Sequence, residues 1–450
     1  MYNYFIKHII MKKLFFICTI FIVACSVEED LYDNEQSQIT VNQDKIKQTS
    51  RSNNSGKNVN TFYSVDLKVE GEGEIKMSVV ETGMAISVLS GKNKSSGNSI
   101  KAIDNLKPND SSFINGTKIK LEAIPKYDFI KFEEWSGDIS GMENPVFVTI
   151  DNQKNIKGKF VNKHIYLADN GKTIKARETA QIGDKGIING EVYTIVDETT
   201  LREMVKNNED VTKVVTTKVT DMNFLFYKSE GDWEKYNDFN QNISSWDVSN
   251  VKKMYYMFFN CDEFDQDLSD WDVSNVDDMH FMFHGAKKFN SPLNSWNTSK
   301  LNRTSAMFLH CLSFDQPLDN WDVSNVTNFS AMFQGSNFNH DISNWDMSNA
   351  TNIVDMFANT RFNYDVNSWD VSNVEYMWGV FHATTEFNQP LDNWDVSNVI
   401  EMGAMFSSSK KFNQDISSWC VSKITEEPSN FSVYSQLENT YKPVWGTCPD

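Results

Sequence analysis

The chain has 450 residues, and its 61 acidic and 42 basic side chains give a formal net charge of −19. Such a negative surface repels phosphate backbones and anionic lipid headgroups, which argues against nucleic acid and anionic lipid as partners. Basic protein patches, cations and neutral glycans stay compatible with it, and a solvated acidic surface that serves only solubility is the alternative. The imbalance is concentrated between Phe239 and Trp419, where 23 acidic residues face nine basic ones.

The N-terminus predicts export. Lys12 and Lys13 precede the apolar run Leu14–Ala24, which is too short for a comfortable transmembrane helix and is typical of a signal-peptide core. The sequence Ile-Val-Ala-Cys that ends at Cys25 resembles a bacterial lipobox, whose cysteine is lipidated and becomes the first residue. Residues 1–25 are therefore expected to be a lipoprotein signal peptide, with Met11 as the start. The alternative is an ordinary cleaved signal in which Cys25 occurs by chance.

The residues that follow Cys25 predict a localisation signal and a flexible tether. Ser26–Asp30, Ser-Val-Glu-Glu-Asp, resembles the acidic tag that sends Bacteroidota lipoproteins to the outer face of the outer membrane. Residues 26–60 are rich in Asn, Gln, Ser and Lys and poor in aromatics, so they cannot bury enough surface to fold and predict a flexible tether. We therefore expect a lipid-anchored, surface-exposed protein of the outer membrane.

Residues 61–162 carry β-strand patterns, with strands predicted over Phe62–Val69, Lys118–Ile124, Phe129–Phe132, Val146–Ile150 and Ile156–Phe160. The stretch resembles the divergent internalin-B-type repeat, a small β module of bacterial surface proteins. The matching positions are Gly116, Trp135, Gly137, Asp138 and Phe160. Residues 91–115 are Ser-, Lys- and Asn-rich and predict a loop inserted in this module. The resemblance implies a spacer or stalk, with ligand binding as the alternative.

Residues 163–215 are expected to be an N-terminal capping segment, because they resemble the preamble often found before the repeats described next. Glu191–Val196 predicts a strand. Thr200 and Glu203 have the spacing of a capping box, which predicts a helix over Leu201–Asn207.

Residues 216–419 repeat a unit of 24 or 25 residues, marked by eight tryptophans: Trp246, Trp271, Trp296, Trp321, Trp345, Trp369, Trp394 and Trp419. Each unit has Phe seven residues before Trp and a branched aliphatic three before it. Each then continues into a pattern Val-x-x-Met-x-x-Met-Phe, as at Val251–Phe258. A fixed period of this length is typical of stacked repeats, in which each unit buries its apolar face against the next.

Within the unit, the i, i+3, i+6, i+7 spacing of the methionine pattern predicts a short helical turn, and the short segment around Trp predicts a strand. The expected fold is an α/β repeat solenoid of leucine-rich-repeat type, with about eight coils of parallel strands and short helical turns, preceded by the small all-β module. We expect the tryptophans to form a buried ladder. The alternative is an exposed aromatic strip that stacks against sugar rings.

The repeated motif, WDVSNV followed by MxxMF and FNQxI/L, resembles the surface-protein repeat of about 25 residues known from mycoplasmas. That repeat is related to the BspA-like leucine-rich-repeat surface proteins. The resemblance covers Thr216–Trp419. Single units depart from it, as where Asn297 replaces the Asp after Trp. The family implies a surface protein with binding roles and no chemistry.

The cysteines divide by position. Cys18 would leave with the signal peptide, and Cys25 would carry the lipid. Cys261 and Cys311 occupy one position two units apart, too far for a disulfide, and are expected to be small buried core residues. Cys420 and Cys448 bracket the Pro-containing tail, and we expect them to form a disulfide that closes a C-terminal cap over residues 420–450.

Two polar positions recur. Asp follows Trp at Asp247, Asp272, Asp322, Asp346, Asp370 and Asp395. Stacked like charges need compensation, and hydrogen bonds from backbone N–H groups at the start of each helical turn are the favoured explanation. Calcium bridging between units is the alternative, so calcium is the one possible cofactor. The second position is the Asn of each unit (Asn250, Asn275, Asn325, Asn349, Asn373 and Asn398), which is expected to satisfy backbone groups in the bend.

Nothing in the chain predicts catalysis. His280 and His284 have a metal-compatible i, i+4 spacing, but no third ligand follows, and exposed polar residues are the expectation. No nucleophile elbow, zinc-protease or phosphate-loop motif occurs. The predicted function is therefore a non-catalytic, lipid-anchored surface protein whose repeats bind an extracellular protein or glycan. The alternatives are an architectural spacer and, less favoured, a carbohydrate-processing accessory enzyme.

Overall fold

A computed structural model describes residues 61–81, 112–227 and 237–449. The predicted signal peptide, lipobox, export tag and tether of residues 1–60 lie outside the described residues. So does most of the loop predicted over residues 91–115, although its end at Ser112–Ile114 is a strand. Among the described helices, none combines the length and apolarity needed to cross a bilayer.

The β module contains seven strands: β1 Phe62–Glu70, β2 Gly73–Glu81, β3 Ser112–Ile114, β4 Thr117–Pro125, β5 Ile130–Gly137, β6 Val146–Ile150 and β7 Lys154–Asn162. They form a four-stranded sheet in the order β3-β1-β7-β5 and a three-stranded sheet in the order β2-β4-β6. All pairs are antiparallel except β1 with β7. The strand predicted at Val146–Ile150 is present with those bounds.

The core of this module follows from the alternation along its strands. In β4, Thr117, Ile119, Leu121 and Ala123 point inward and are buried, while the residues between them are partly exposed. Trp135 is also buried, and its indole N–H donates to the Glu143 carbonyl at 2.8 Å. Asn162 then joins the module to the next segment by two hydrogen bonds with the backbone of Ile187.

The capping segment contains the strand pair β8 Ile165–Leu167 and β9 Ile174–Ala176, the three strands β10 Lys185–Ile188, β11 Glu191–Ile195 and β12 Val214–Val215, and the helix α1 Glu198–Lys206. The predicted capping box is wrong. The helix begins one turn earlier, because Asp197 is the N-cap and its carboxylate accepts the Thr200 N–H at 2.8 Å.

The repeats stack in parallel, and each contributes one residue to a row of isolated parallel bridges. The row runs Asp221, Lys253, Asp278, Arg303, Asn328, Asn352, Tyr376 and Glu401. Between Val215 and Asn439 the described residues contain no helix and no strand longer than such a bridge. The expected α/β architecture of parallel strands and helical turns is therefore wrong. The regular structure of the described chain is one α-helix, one short 3₁₀-helix (Asn439–Tyr441) and several small, mainly antiparallel sheets.

The reason lies in the backbone of what we call the methionine segment, the eight residues of each unit that begin at the position of Met254, as in Met254–Cys261. Tyr256 and Asn260, its third and seventh residues, have φ of 57° and 55°. Left-handed residues end a right-handed helix, so the segment is a series of tight turns. Every second N–H crosses to the following unit, as Met254 N–H does to the Asp278 carbonyl at 3.0 Å.

The core of the stack consists of columns that run from unit to unit. Phe258 stacks on Phe283 with ring centroids 5.4 Å apart, and Trp246 lies parallel to Trp271 at 6.5 Å. These rings are buried, together with the first Met of the segment and the aliphatic residue before Trp. One continuous core thus extends from the capping segment to the C-terminal tail.

The C-terminal tail continues the stack for one more unit that the sequence did not reveal. Asn430 and Tyr434 have positive φ four residues apart, as the third and seventh residues have in the methionine segments from Met254 onward. The Ala404 and Phe406 N–H groups donate to the carbonyls of Ser429 and Phe431. The expected disulfide between Cys420 and Cys448 is present and ties this last unit to the end of the chain.

Candidate binding surface

The eight repeat tryptophans are core residues. Each is at most 4% exposed, which removes the alternative of an exposed strip for sugar rings. The indole N–H of Trp345 donates to the Leu318 carbonyl of the preceding unit at 3.0 Å, and the same bond recurs along the column. Trp246, at the start, donates to Val211 of the capping segment. The Trp column therefore holds the stack together and offers no ligand a surface.

The recurring Asp residues accept a hydrogen bond from the backbone N–H two residues later. Asp346 accepts the Ser348 N–H at 3.0 Å, and Asp247, Asp272, Asp322, Asp370 and Asp395 do the same. The side chain of that serine, followed by its backbone N–H, lowers the pKa of Asp346 and of Asp395. The backbone explanation thus accounts for the repetition, although the turn it stabilises is not helical. Across the described ranges, no three His, Cys, Asp or Glu residues are grouped as a metal site would need.

Two ladders of polar side chains link neighbouring units. In the predicted one, Asn325 donates to the Ser299 carbonyl at 2.9 Å, and the other members make the equivalent bond. A second ladder, which sequence analysis missed, follows the repeat Phe. The side-chain oxygen of the Asn or Asp after this Phe accepts a hydrogen bond from the backbone N–H of the equivalent residue in the next unit. Asn388, for example, accepts the Asn413 N–H at 2.9 Å. Both ladders are structural.

The remaining predicted positions also belong to the packing. Cys261 and Cys311 are buried and free of disulfides, and Cys25 lies outside the described residues. His280 and His284 are half-buried rather than exposed. His280 contacts Asp278 through Nδ1, and the His284 ring stacks on Phe259 with centroids 4.5 Å apart. Burial, with a smaller effect of His310, lowers the pKa of His284 to about 4.

A surface feature appears where the repeats differ. The second, third, sixth and seventh residues of each methionine segment lie on one side of the stack, which we call the methionine face. In the first three segments these positions are mostly aromatic, and farther along the third position becomes Ala306 and Ala331. The resulting aromatic patch consists of Phe224, Tyr227, Tyr255, Tyr256, Phe259, His280, Phe281 and His284. Phe224 is 40% exposed, and the others except Phe259 are half-buried.

The rings of the aromatic patch stack on one another along the direction of the repeats. Tyr256 has Phe224 on one face at 4.9 Å and Phe281 on the other at 4.6 Å. Tyr255 stacks on His280 at 4.8 Å. Because both faces of Tyr256 are covered, this ring offers a ligand its edge and its hydroxyl group. Ring edges carry partial positive charge and favour contact with other aromatics or with carbonyl oxygens.

Three ion pairs lie beside the aromatic patch among the described residues. Arg202 pairs with Asp221 at 3.3 Å, and Lys287 pairs with Asp262 at 2.7 Å. Arg303 lies 3.7 Å from Asp278. Although the whole chain is strongly acidic, three acidic side chains described beside the patch thus lie against basic ones.

The aromatic patch does not show in the residues that the repeats share. The signal that could have revealed it is a run of aromatics at the positions that vary, namely Tyr255-Tyr256 in one unit and His280-Phe281 in the next. A partner-binding surface on a repeat protein is expected at such positions, since the constant ones are used by the core.

Comparison with protein families adds an identity to this geometry. The family model described as "Mycoplasma protein of unknown function, DUF285" matches residues 197–312, 230–343, 291–361 and 336–445. The overlapping matches span 197 to 445, which is 249 of the 450 residues. The BspA-like and internalin-B-type resemblances lie beyond this match and stay predictions. We find no match among curated proteins or among solved structures. From the capping helix to the C-terminal tail, this chain belongs to the DUF285 family of Mycoplasma-type repeat proteins.

Proposed function

We propose that this chain is a non-catalytic surface protein that binds an extracellular protein through the aromatic patch. The observation that carries the proposal is the concentration of exposed and half-buried rings on one side of three successive repeats. Contiguous apolar surface of this kind marks interaction sites, and Tyr is enriched among residues that dominate binding energy. A spacer without a ligand would have no use for such a cluster.

Ring geometry favours a protein partner over a glycan. Sugar rings stack on open aromatic faces, whereas both faces of Tyr256 are covered by Phe224 and Phe281. Edges and phenol hydroxyls suit a folded protein surface, which can place apolar side chains and carbonyl groups against them. The ion pairs beside the aromatic patch fit such a contact, because a paired charge costs less to bury than an unpaired one.

The anchor belongs to the same proposal. Cys25 would carry the lipid, and the acidic residues Glu28, Glu29 and Asp30 would direct the protein to the outer face of the outer membrane. Membership in a family of repeat proteins is compatible with that location. Cys25→Ala should abolish metabolic palmitate labelling and release the protein from membranes. Equal labelling of the variant and the wild type would refute lipidation at this cysteine.

The binding experiment compares matched positions of one column. Tyr256 and Phe281 share the third position of the methionine segment with Ala306 and Ala331. A Tyr256→Ser/Phe281→Ser variant and an Ala306→Ser/Ala331→Ser control are screened with the wild type on arrays of purified extracellular proteins and of glycans. Circular dichroism establishes that each variant is folded.

We expect protein spots whose signal falls at least tenfold in the aromatic variant and is unchanged in the control. A complete absence of signal would favour the spacer. Signals from glycan spots alone, or an equal loss in both variants, would refute the aromatic patch as a protein-binding surface.

A further inference from the structure

A second feature lies on the methionine face, near the C-terminal end of the stack. Trp378 occupies the second position of its segment, the column that contains Tyr255 and His280 in the aromatic patch. Beside it is a cleft of about 180 Å³ that is also lined by Ile400, Glu401, Gly403 and Ser429. Five repeats, or roughly 25 Å at the usual spacing of neighbouring strands, separate Trp378 from Tyr255.

Trp378 differs from the tryptophans of the core. It is half-buried, and its indole N–H makes no hydrogen bond within the described part of the chain, whereas each core indole is bonded to the preceding unit. No aromatic ring contacts it within the same residues, so its ring face is not used as those of the aromatic patch are. The pyrrole edge of Trp378 packs directly against Gly403. A side chain at position 403 would clash with it, because a Cβ there would lie 2.7 Å from Trp378 Cδ1.

The charge beside this cleft is not compensated. Along the row of parallel bridges, Asp221, Lys253, Asp278 and Arg303 alternate in sign near the aromatic patch. Farther along, the row continues with Tyr376 and Glu401. Glu401 is exposed, as is Glu375 beside Ile400, and neither forms an ion pair with any described residue. The cleft therefore combines an accessible indole, an apolar wall and a free carboxylate.

We propose that this cleft receives one Lys or Arg side chain from a partner polypeptide. Ile400, which is 51% exposed, would contact the methylene groups, the indole of Trp378 would lie against the cation, and Glu401 would supply the opposite charge. Cation–π contacts prefer Trp, and a neighbouring carboxylate adds its own attraction for the cation. The net charge of −19 would add long-range attraction for a basic segment.

The size of the cleft selects this occupant over a free small ligand. Sites for cofactors and drug-sized molecules usually enclose about 300–1,000 Å³, well above the volume found here. One long side chain, held by a larger molecule, needs no more than such a cleft. The proposal requires a polypeptide partner but does not depend on the aromatic patch, so either site can fail without the other.

The test uses the full chain and a fluorescein-labelled peptide, Gly-Ser-Arg-Gly-Ser, whose only charged side chain is the arginine, with Gln in place of Arg as the reference probe. Fluorescence anisotropy is measured at low salt for the wild type, Trp378→Ala and Glu401→Gln. Trp378→Phe keeps an aromatic ring at this position, so it shows whether a loss of peptide affinity in Trp378→Ala is due only to altered packing. Glu386→Gln is the charge control, because Glu386 pairs with Lys411 elsewhere on the surface and its loss changes the net charge equally.

We expect the Arg peptide to bind at least tenfold more tightly than the Gln peptide. Trp378→Ala and Glu401→Gln should each weaken binding at least fivefold, and Trp378→Phe less. Glu386→Gln and Tyr256→Ser/Phe281→Ser should bind as the wild type does. Equal binding of the two peptides, or equal losses in Glu401→Gln and Glu386→Gln, would reduce the effect to unspecific attraction and overturn the proposal.

Discussion

Each core tryptophan performs two tasks in the same place. Trp345 is 3% exposed, packs against Phe333 and Phe329, and satisfies the Leu318 carbonyl with its indole N–H. A smaller apolar side chain would leave both a void and an unpaired carbonyl group. Such a residue is hard to replace, which explains why the spacing of the Trp column is so regular.

Trp345→Ala should therefore lower the free energy of unfolding by about 3–5 kcal/mol, the usual cost of removing a large buried side chain. Urea unfolding followed by circular dichroism measures the loss. Trp378→Ala is the internal control, because this half-buried indole makes no hydrogen bond to the described residues, and it should cost much less. Similar losses for the two variants would contradict the assignment of Trp345 to the core.

Asp355 lowers the stability of the stack when its carboxyl group is ionised. It occupies the third, left-handed position of its segment with φ of 54°, and its carboxylate lies over Gly379 of the following unit. Burial raises the pKa of Asp355 to about 7. Because the unfolded chain releases this proton near pH 4, the contribution of Asp355 to stability falls as pH rises from about 4 to 7 and stays low above that.

Asp355→Asn removes the ionisation without changing the shape. At pH 8 the variant should be more stable than the wild type by up to about 4 kcal/mol, because the pKa of Asp355 is about 7 instead of about 4 and each pKa unit corresponds to at most about 1.4 kcal/mol. At pH 4 the difference should vanish. The low pKa of His284, which destabilises the fold in acid, is common to both proteins and cancels. Thermal unfolding at the two pH values is the measurement, and a pH-independent difference would count against burial as the cause.

The methionine segment is the element on which sequence and structure disagree. Apolar residues at i, i+3, i+6 and i+7 fit one face of a helix, but they also fit two successive turns in which every fourth residue is left-handed. Tyr256, Phe281 and Ala306 adopt positive φ although such residues rarely do. The backbone accepts this cost because alternate N–H groups then reach the next unit, a gain that local sequence patterns do not show.

The features that could be predicted from the sequence depend on contacts that are local or that recur in every repeat. The strand at Val146–Ile150, the buried Trp column and the Cys420–Cys448 pair were visible as alternation, period and position. The aromatic patch and the Trp378 cleft were not, because Phe224, Tyr256 and Phe281 meet only once the units are stacked. Trp378 lay at a variable position and offered no periodic signal.

The left-handed positions give a direct test of the turn geometry. Ala331 has φ of 55°, and glycine adopts this conformation without strain. Ala331→Gly should leave stability unchanged or raise it by up to about 1 kcal/mol, whereas Ala331→Val should lower it by more than 1 kcal/mol. In a helix the order would be reversed. Melting temperatures of the two variants and the wild type decide between the geometries.

At the scale of the whole molecule, both ends of the core are covered by chain that departs from the repeat. The capping segment bonds to the first unit through the Ile174 N–H and the Ser245 carbonyl, while Val211 accepts the indole N–H of Trp246. At the other end, Phe431 packs edge-on against Phe406 and Trp445. These caps cover the apolar surface that the end units would otherwise expose.

The disulfide should matter mainly for the C-terminal cap. It joins residues 28 apart in sequence, and closing a loop of that length stabilises a fold by about 3–4 kcal/mol in the chain-entropy estimate. Cys448→Ser should therefore increase amide exchange near Phe431 and Gly446 and leave the units around Trp296 protected. Hydrogen exchange with mass spectrometry resolves the two regions. A uniform loss of protection would show that the cap is coupled to the entire stack.

The hydrogen bonds between units also determine how the protein would respond to force. Because the N–H groups of one methionine segment donate to the next, as from Met254 to Asp278 and from Met279 to Arg303, these bonds lie along the axis of the stack. Tension applied to the chain ends would load them one unit at a time. Each detached unit would release 24 or 25 residues, or about 80 Å of extended chain. A protein held between a cell and a bound partner could thus lengthen in steps while its remaining units stay folded and bound.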